Sequence, residues 1–548
     1  MRRDVLILIA LALFAAVMHG VNMFDYPAVS LADDEGTYLE QAWSVLREGR
    51  LAPYTYTYDH VPGGWVQIAG WFALVGPRAF GSVLATGRVF ILILHVASVA
   101  LLYLSARRLG VPRAGSIIGG ALFAASPLAL FYGREVILEN VMVFWLMVSL
   151  ALLLFVRGAT GAALSGLALG IAILSKEPAL ILVPAYAFLA ATRAPRHTRT
   201  RDVVSLVAPA LMVAAIYPLY ALSQGQLWPS ATLVTKSTDP RAYAGSSLID
   251  SLLWQLRRPG GNPFDAASEV RVAIGDWLRR DAILIVGGLA ASVRNVLRDR
   301  RRSSFAPLGV LGVLAFLFLV RGGIVYPFHV VLAIPFLALN LGIVAAELLP
   351  RISLPRAAIL APVAHSRAYR PVAAMIAMFV FWSVSGALPA LYLEHPGVAA
   401  QRAVRWIEAT VPEDSVVVGR DDLWAELHEP DVAGHTFAAY HTHWRLSYDE
   451  AARNAVLTSG WRSIAYIVVT QSLVDGVQTT HDGELGEALR NGELVERWIV
   501  PTSDQALHAA QVIEVWQVDP SGSIARLRAV CEEMRSMECP EVSTGAIR

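Results

Sequence analysis

The chain is nearly without cysteine and lysine, with Cys531 and Cys539, Lys176 and Lys236 the only ones in 548 residues. It also lacks a Walker loop, an HExxH or CxxC motif and any internal repeat, which removes nucleotide-driven pumping and the commonest zinc hydrolases. Charge is scarce as well: 16% of residues are charged against 55% apolar, and the mean hydropathy is +0.50. That balance excludes a soluble protein and describes one that crosses a membrane several times. The formal charge of +1, from 45 basic and 44 acidic residues, gives no reason to expect nucleic acid as a partner.

Eleven apolar runs long enough to cross or nearly cross a bilayer are predicted at about 5–24, 83–105, 114–131, 136–156, 162–174, 179–191, 203–222, 282–297, 305–320, 324–349 and 372–392. The runs at 162–174, 179–191 and 282–297 fall short of the ~20 residues a perpendicular helix needs. Basic clusters at Arg2-Arg3, Arg107 to Arg113, Arg157, Arg193 to Arg201, Arg294 to Arg302 and Arg351 to Arg370 fall in alternate loops. Short basic loops stay in the cytoplasm, so the N-terminus is predicted inside and the tail from residue 393 outside. Arg257, Arg258, Arg279 and Arg280 break the alternation in a long outer loop, where the rule is weaker. No small-x-small cleavage site follows the first run, which reads as a retained helix.

The expected architecture is a polytopic α-helical membrane protein with a C-terminal soluble α/β domain. The transmembrane module would span 1–393, with outer loops at 25–82 and 223–281, and the extracytoplasmic domain 394–548. In that domain 398–410 has a helical pattern, and 415–419, 464–470 and 511–518 read as buried strands. The two cysteines lie there, where either a disulfide or two free thiols would suit the compartment. His435, His441 and His443 lie close in sequence but lack the cysteine partners and spacing of a structural metal site.

The first outer loop opens on three consecutive carboxylates, Asp33, Asp34 and Glu35. Like charges in a row repel unless a cation, a substrate or a helix N-terminus balances them, so the segment suits either a catalytic acid or the cap of a helix to about residue 46. Arg88, Arg134, Glu135, Glu139, Lys176, Arg321 and His329 lie within or at the outer ends of predicted helices, where a charge is costly and should face a cavity. Cations there suit a phosphate, and a carboxylate suits proton transfer. The aromatics of the outer loops, among them Tyr54, Tyr56, Tyr58, Trp65 and Trp71, fit ordinary anchoring at the headgroup level.

Several short stretches carry a family resemblance: DEGTYLEQAWSVLREG (34–49), YDHVPGGW (58–65), GRVF around Arg88, GREVILEN (133–140), LSKEP (174–178) and YPFH (326–329). Together with the topology they resemble the GT-C class of polytopic glycosyltransferases, in particular the protein mannosyltransferase-like and aminoarabinose-transferase-like members that use polyprenyl-phosphate sugars. The resemblance implies that Asp34 is the base, with Glu35 its neighbour and Asp33 the fallback. It implies that Arg88, Arg134 and Lys176 hold the donor phosphate, together with His329. Glu135 or Glu139 would match a second acidic position that in some relatives binds a divalent metal, so Mg or Mn is left open and no cofactor is certain. Asp59, His60 and Tyr326 complete the expected substrate-binding set. Relatives often show two prolines after the tyrosine-rich stretch, whereas this chain has only Pro62.

These expectations describe an inverting transfer from a polyprenyl-phosphate sugar to a protein, lipid or glycan acceptor on the outer face of the cell membrane. A secondary transporter or lipid flippase, using the intramembrane charges as a path, is the alternative, and a non-catalytic lipid-binding member is a third. Transporters usually place charges near the midplane between matching halves. Here the charges gather toward one surface.

Overall fold

The computed structural model describes residues 2–28, 34–49, 60–229, 247–257, 264–265, 268–298, 305–321, 325–348, 387–431, 433–448, 450–480, 482–503 and 510–523. Asp33, Asp59, Cys531, Cys539 and most of the predicted span 372–392 lie outside these residues.

Among the described residues, five helices are long and apolar enough to cross a membrane: Arg2–Gly20, Val83–Arg108, Leu138–Phe155, Gly158–Ser175 and Arg199–Ser223. Shorter apolar helices occupy Gly63–Val75, Arg113–Ala125, Ala306–Leu319 and Ile334–Leu348. Several predicted spans are broken rather than continuous, and proline marks the breaks. The run 114–131 divides at Ser126-Pro127 into Arg113–Ala125 and Pro127–Tyr132, because Pro127 has no amide to continue the ladder. The run 324–349 begins instead as a short 3-10 helix, Pro327–Leu332, before Ile334–Leu348. Helices approach closely where glycine permits it. A Cβ on Gly166 would lie 2.1 Å from the Leu206 carbonyl, and one on Gly342 would lie 2.5 Å from that of Gly115.

The bundle has two chemically distinct ends. At one, Asp4 takes Arg113 at 2.8 Å, Arg107 at 3.2 Å and the Tyr103 hydroxyl at 2.8 Å, while Arg108 donates to the Leu154 carbonyl. At the other, ~30 Å along the same 83–108 helix by its rise of ~1.5 Å per residue, lie Arg88 and the segment between the first helix and this one. The first-loop helix Glu35–Glu48 and the helix Gly63–Val75 sit at this second end.

The C-terminal domain covers the same end. Its sheet is mixed, with strands β1 (Val417–Gly419), β2 (Tyr440–Thr442), β4 (Tyr466–Val469), β5 (Gly492–Pro501) and β6 (Ala510–Val518) in the order β2-β1-β4-β6-β5; the short strand β3 (Thr458–Trp461) precedes β4. β1 pairs in parallel with β2 and β4, and β6 runs antiparallel to β4 and β5. The helix Val398–Thr410 packs one face on this sheet through Ala399, Ala403 and Ile407. The domain docks on the 35–48 helix and on Arg78 by polar contacts: Trp43 and Arg47 both donate to Glu429, and Arg78 pairs with Glu408 at 3.0 Å. Gly36 is required at this seam, since a Cβ there would lie 2.5 Å from the Asp422 nitrogen.

Glu35, expected beside the base, and Arg88 and Arg134, expected on the donor phosphate, are each engaged within the fold. Glu35 and Arg88 form a fully buried ion pair, with Nε and Nη2 donating to the two carboxylate oxygens at 2.9 and 2.7 Å. Arg88 also donates to the carbonyls of Met23 and Pro27, and Glu35 accepts from the Val136 amide at 2.8 Å. Arg134 donates to the carbonyls of Met18, Tyr26 and Leu391 and lies over the Tyr392 ring. A buried guanidinium must satisfy its donors wherever acceptors are present; here the Glu35 carboxylate and backbone carbonyls take those of Arg88, and backbone carbonyls take the terminal nitrogens of Arg134.

Replacing Arg88 by Met is expected to cost about 3–5 kcal/mol of stability, because it leaves the Glu35 charge buried and uncompensated. Adding Glu35→Leu should restore part of that loss. Thermal unfolding of the detergent-solubilised variants checks this; if Arg88→Met kept its midpoint and only weakened donor binding, the bracing role would be wrong.

Candidate active site

Asp34 occupies the N-cap position of the 35–48 helix, with φ −73° and ψ 19°, yet its side chain makes no capping bond. It is held from one turn further on: the Tyr38 hydroxyl donates to its Oδ2 at 2.8 Å. The i, i+4 spacing of a helix places Tyr38 above Asp34. Tyr38 is fully buried and its hydroxyl in turn accepts from Lys176 Nζ at 2.7 Å.

Lys176 stands where the helix Gly158–Ser175 ends, in extended backbone, with a 3-10 turn beginning at Glu177-Pro178. This break drives the side chain into the interior, where it is 2% exposed. Its ammonium lies 3.3 Å from His60 Nε2 and 3.6 Å from Glu139 Oε1. Glu139, in the first turn of the 138–155 helix, also faces His329 Nε2 at 3.8 Å. The Tyr326 amide donates to His329 Nδ1 at 3.3 Å, so Tyr326 orients that ring by its backbone. His60 is flanked on its other side by Glu177 at 3.6 Å.

The structure thus brings Asp34, His60, Glu139, Lys176 and His329 into one connected cluster, with Tyr326 at its edge. Glu35, Arg88 and Arg134 stand apart from it in the bracing roles described above. Glu135 is fully buried in the turn before the 138–155 helix, where its carbonyl accepts from Asn140 and Ile137. Glu139 has the Lys176 ammonium and the His329 ring beside it. Among the described residues no three of His, Cys, Asp or Glu come together as a metal-ligand set, and no step below is routed through a metal.

Sequence reasoning missed Tyr38 and the contribution of the C-terminal domain. Tyr38 carried a signal in its four-residue spacing from Asp34. Asp421, which accepts from the Thr37 hydroxyl at 3.1 Å, carried none, because 384 residues separate the two. Burial in the seam and the neighbouring Asp422 charge push the Asp421 carboxyl up to about 7, with Asp34 adding to the rise. Glu40, 1% exposed on the same helix, is likewise pushed well above the carboxylate range by burial, and its Oε2 has no hydrogen-bond partner among the described residues. Asp422 is neutralised by Arg420, whose Nε lies 2.7 Å from its Oδ1.

Residues 67–221 match the family model of the dolichyl-phosphate-mannose-protein mannosyltransferases. No curated protein sequence matches the chain. Among solved structures, the oligosaccharyltransferase of Archaeoglobus fulgidus in its apo form is similar at TM-score 0.53 and 15% identity, over 90% of this chain and 73% of that one. The archaeal oligosaccharyltransferase AglB of the same organism, in complex with an inhibitory peptide and a dolichol-phosphate, is similar at TM-score 0.51 and 14% identity, over 90% and 72%. ArnT from Cupriavidus metallidurans bound to undecaprenyl phosphate follows at TM-score 0.49 and 15% identity, over 93% and 97%. The chain is therefore a polytopic membrane protein with the fold of the GT-C class of glycosyltransferases, and residues 67–221 are the stretch that matches the mannosyltransferase family model.

Proposed function

We propose that this protein is a glycosyltransferase that moves a sugar from a polyprenyl-phosphate carrier to an acceptor on the extracytoplasmic face, with inversion at the anomeric carbon. The observation that carries this reading is the chain Lys176–Tyr38–Asp34, which sets a carboxylate and a buried ammonium on opposite sides of one phenol hydroxyl. The fold shared with a protein solved in complex with a dolichol-phosphate supports a lipid-phosphate donor.

In the proposed step, Asp34 takes the proton of an acceptor hydroxyl or amide as the acceptor attacks the anomeric carbon. The new glycosidic bond forms on one face while the bond from carbon to the phosphate oxygen breaks on the other. The phosphate leaves with the electron pair, and the proton stays on Asp34. Lys176, with His60 and His329 beside it, supplies the positive charge that stabilises the departing phosphate. Glu139 keeps these cations in place. A single base with no second carboxylate acting as a nucleophile gives one displacement and hence inversion. Asp33 and Asp59 belong to the proposed substrate-binding set, outside the described residues. The gathering of these groups at one end of the bundle favours this reading over a transport path, which would run through the midplane.

Asp34→Asn should lower the transfer rate about 10²–10⁴-fold, the usual worth of a positioned general base, with donor binding retained. Purified protein supplied with a radiolabelled polyprenyl-phosphate sugar and acceptor extract measures this. A mutant as fast as wild type would remove Asp34 from the reaction, and lipid movement without sugar transfer would remove the enzyme reading altogether. In the same assay Lys176→Met should raise the donor KM at least tenfold, and its thermal midpoint should fall as well, because Glu139 is left buried without its ammonium partner.

The seam behind Asp34 carries its own pH signature. A carboxyl raised to about 7 keeps its proton in the folded protein at pH values where the unfolded chain, at ~3.9, has lost it. Stability contributed by Asp421 is therefore full below about pH 4 and declines as pH rises to about 7, and Glu40 extends the decline upward. Thermal midpoints from pH 4 to 8 should fall less steeply in Asp421→Asn than in wild type; equal slopes would contradict the raised value.

A further inference from the structure

A second cavity, of about 460 Å³, lies between the first outer loop and the C-terminal domain. That volume is in the range of small-ligand pockets, which favour domain interfaces. It is separate from the Asp34 cluster: Asp422 lines it, while the adjacent Asp421 faces Thr37.

Its polar lining is incomplete in a specific way. Gln511, near the start of β6, is 4% exposed, and neither its Oε1 nor its Nε2 has a hydrogen-bond partner among the described residues. Arg78 lines the same cavity, and its Nε is buried without an acceptor. An amide that lacks partners for both its donor and its acceptor calls for a ligand group that can both give and take hydrogen bonds. Hydroxyl groups do this.

The charged side chains around the cavity are already engaged. Asp25 accepts from Gln401 and faces His395, Glu408 pairs with Arg78, Asp422 with Arg420, Glu426 accepts from the Leu84 amide, and Arg405 donates Nε to the Gln401 carbonyl. Four carboxylates against the two lining arginines, Arg78 and Arg405, disfavour an anion such as phosphate, and their internal partners leave no need for a cationic ligand. The remaining wall is apolar and includes Phe24, which is 39% exposed, and Leu84. An apolar wall opposite unpartnered donors and acceptors matches a pyranose or furanose ring, with one face of C–H bonds and an edge of hydroxyls.

We propose that this interdomain cavity is a binding site for a neutral sugar residue. That the sugar belongs to the acceptor or product glycan rests on the glycosyltransferase reading; binding of the sugar itself does not. The Gln511 amide and Arg78 Nε hold the hydroxyl edge, Phe24 and Leu84 receive the apolar face, and the site holds a saccharide beside the reaction centre rather than within it.

Saturation-transfer NMR on the full-length protein in detergent, with no lipid donor present, tests this using methyl glycosides of mannose, glucose, galactose and arabinose, with inorganic phosphate as competitor. At least one glycoside should bind, phosphate should not compete, and Gln511→Leu should weaken binding at least tenfold. Phe24→Ala, at a partly exposed position where truncation leaves the fold intact, should weaken it severalfold and decides the matter if Gln511→Leu does not fold. Asp34→Asn should bind as wild type does, so a failed transfer assay with intact saccharide binding would remove the enzyme reading and leave this site standing. Absence of binding by every glycoside, competition by phosphate, or wild-type binding in both cavity variants would overturn the proposal.

Discussion

The buried pair between Glu35 and Arg88 is the constraint on which the end of the bundle carrying Asp34 depends. Two charges removed from water are stabilised only if every remaining donor and acceptor is also met, and here they are met by the backbone of three separate segments. Arg88 gathers the carbonyls of Met23 and Pro27, and Glu35 takes the Val136 amide. The end of the first helix, the start of the first-loop helix and the turn before the 138–155 helix are thereby tied at one point. Asp34 precedes Glu35 directly, so its position follows from an ion pair in which it takes no part. Satisfying the pair fully makes the local geometry unique, a specificity that a purely apolar contact would not supply.

From that anchor the reactive groups converge by different local causes. The helical period lifts Tyr38 over Asp34. The end of the helix at Ser175 turns Lys176 inward, and its ammonium finds a phenol, an imidazole and a carboxylate rather than lipid. Each of these would be costly alone in a low-dielectric interior, and together they balance. The C-terminal domain then closes the end by backbone-to-backbone contact at Gly36, which brings Asp421 within reach of the helix that carries Asp34. The domain is thus part of the wall of the site.

Hydropathy made the membrane class legible, and the helix at 398–410 and the strands near 417–419, 466–469 and 510–518 followed from periodicity and apolar runs. Proline limited the rest: at Pro127 and Pro327 an apolar run that looks continuous is interrupted because the backbone donor is missing, which composition alone hides. β5 escaped for a different reason. As an edge strand it carries Glu493, Glu496 and Arg497 among its apolar residues without a regular alternation, and edge strands use charge to resist further pairing. In the site, Glu139, Lys176 and His329 were legible as charges placed where charge is expensive, Asp34 as one of three consecutive carboxylates, and His60 through the YDHVPGGW stretch of the resemblance. The same criterion also selected Arg88 and Arg134, because burial cost is equal whether a cation is met by a substrate or by carbonyls.

That ambiguity has a physical resolution in the kind of partner. A guanidinium presents five donors in a fixed plane, so scattered acceptors can engage it: Arg88 is held by the Glu35 carboxylate and two carbonyls, and the Nη atoms of Arg134 by three carbonyls. An ammonium is a compact charge with three rotatable donors, and Lys176 is met by groups that can themselves exchange protons or rotate away. All but two of the 45 cations in the chain are arginine, and among the described residues Lys176 is the one lysine. It lies in the cluster with Asp34, while Arg88 and Arg134 are spent on the Glu35 carboxylate and on backbone carbonyls, so the position of Lys176 depends on the same buried end that Glu35 and Arg88 hold together.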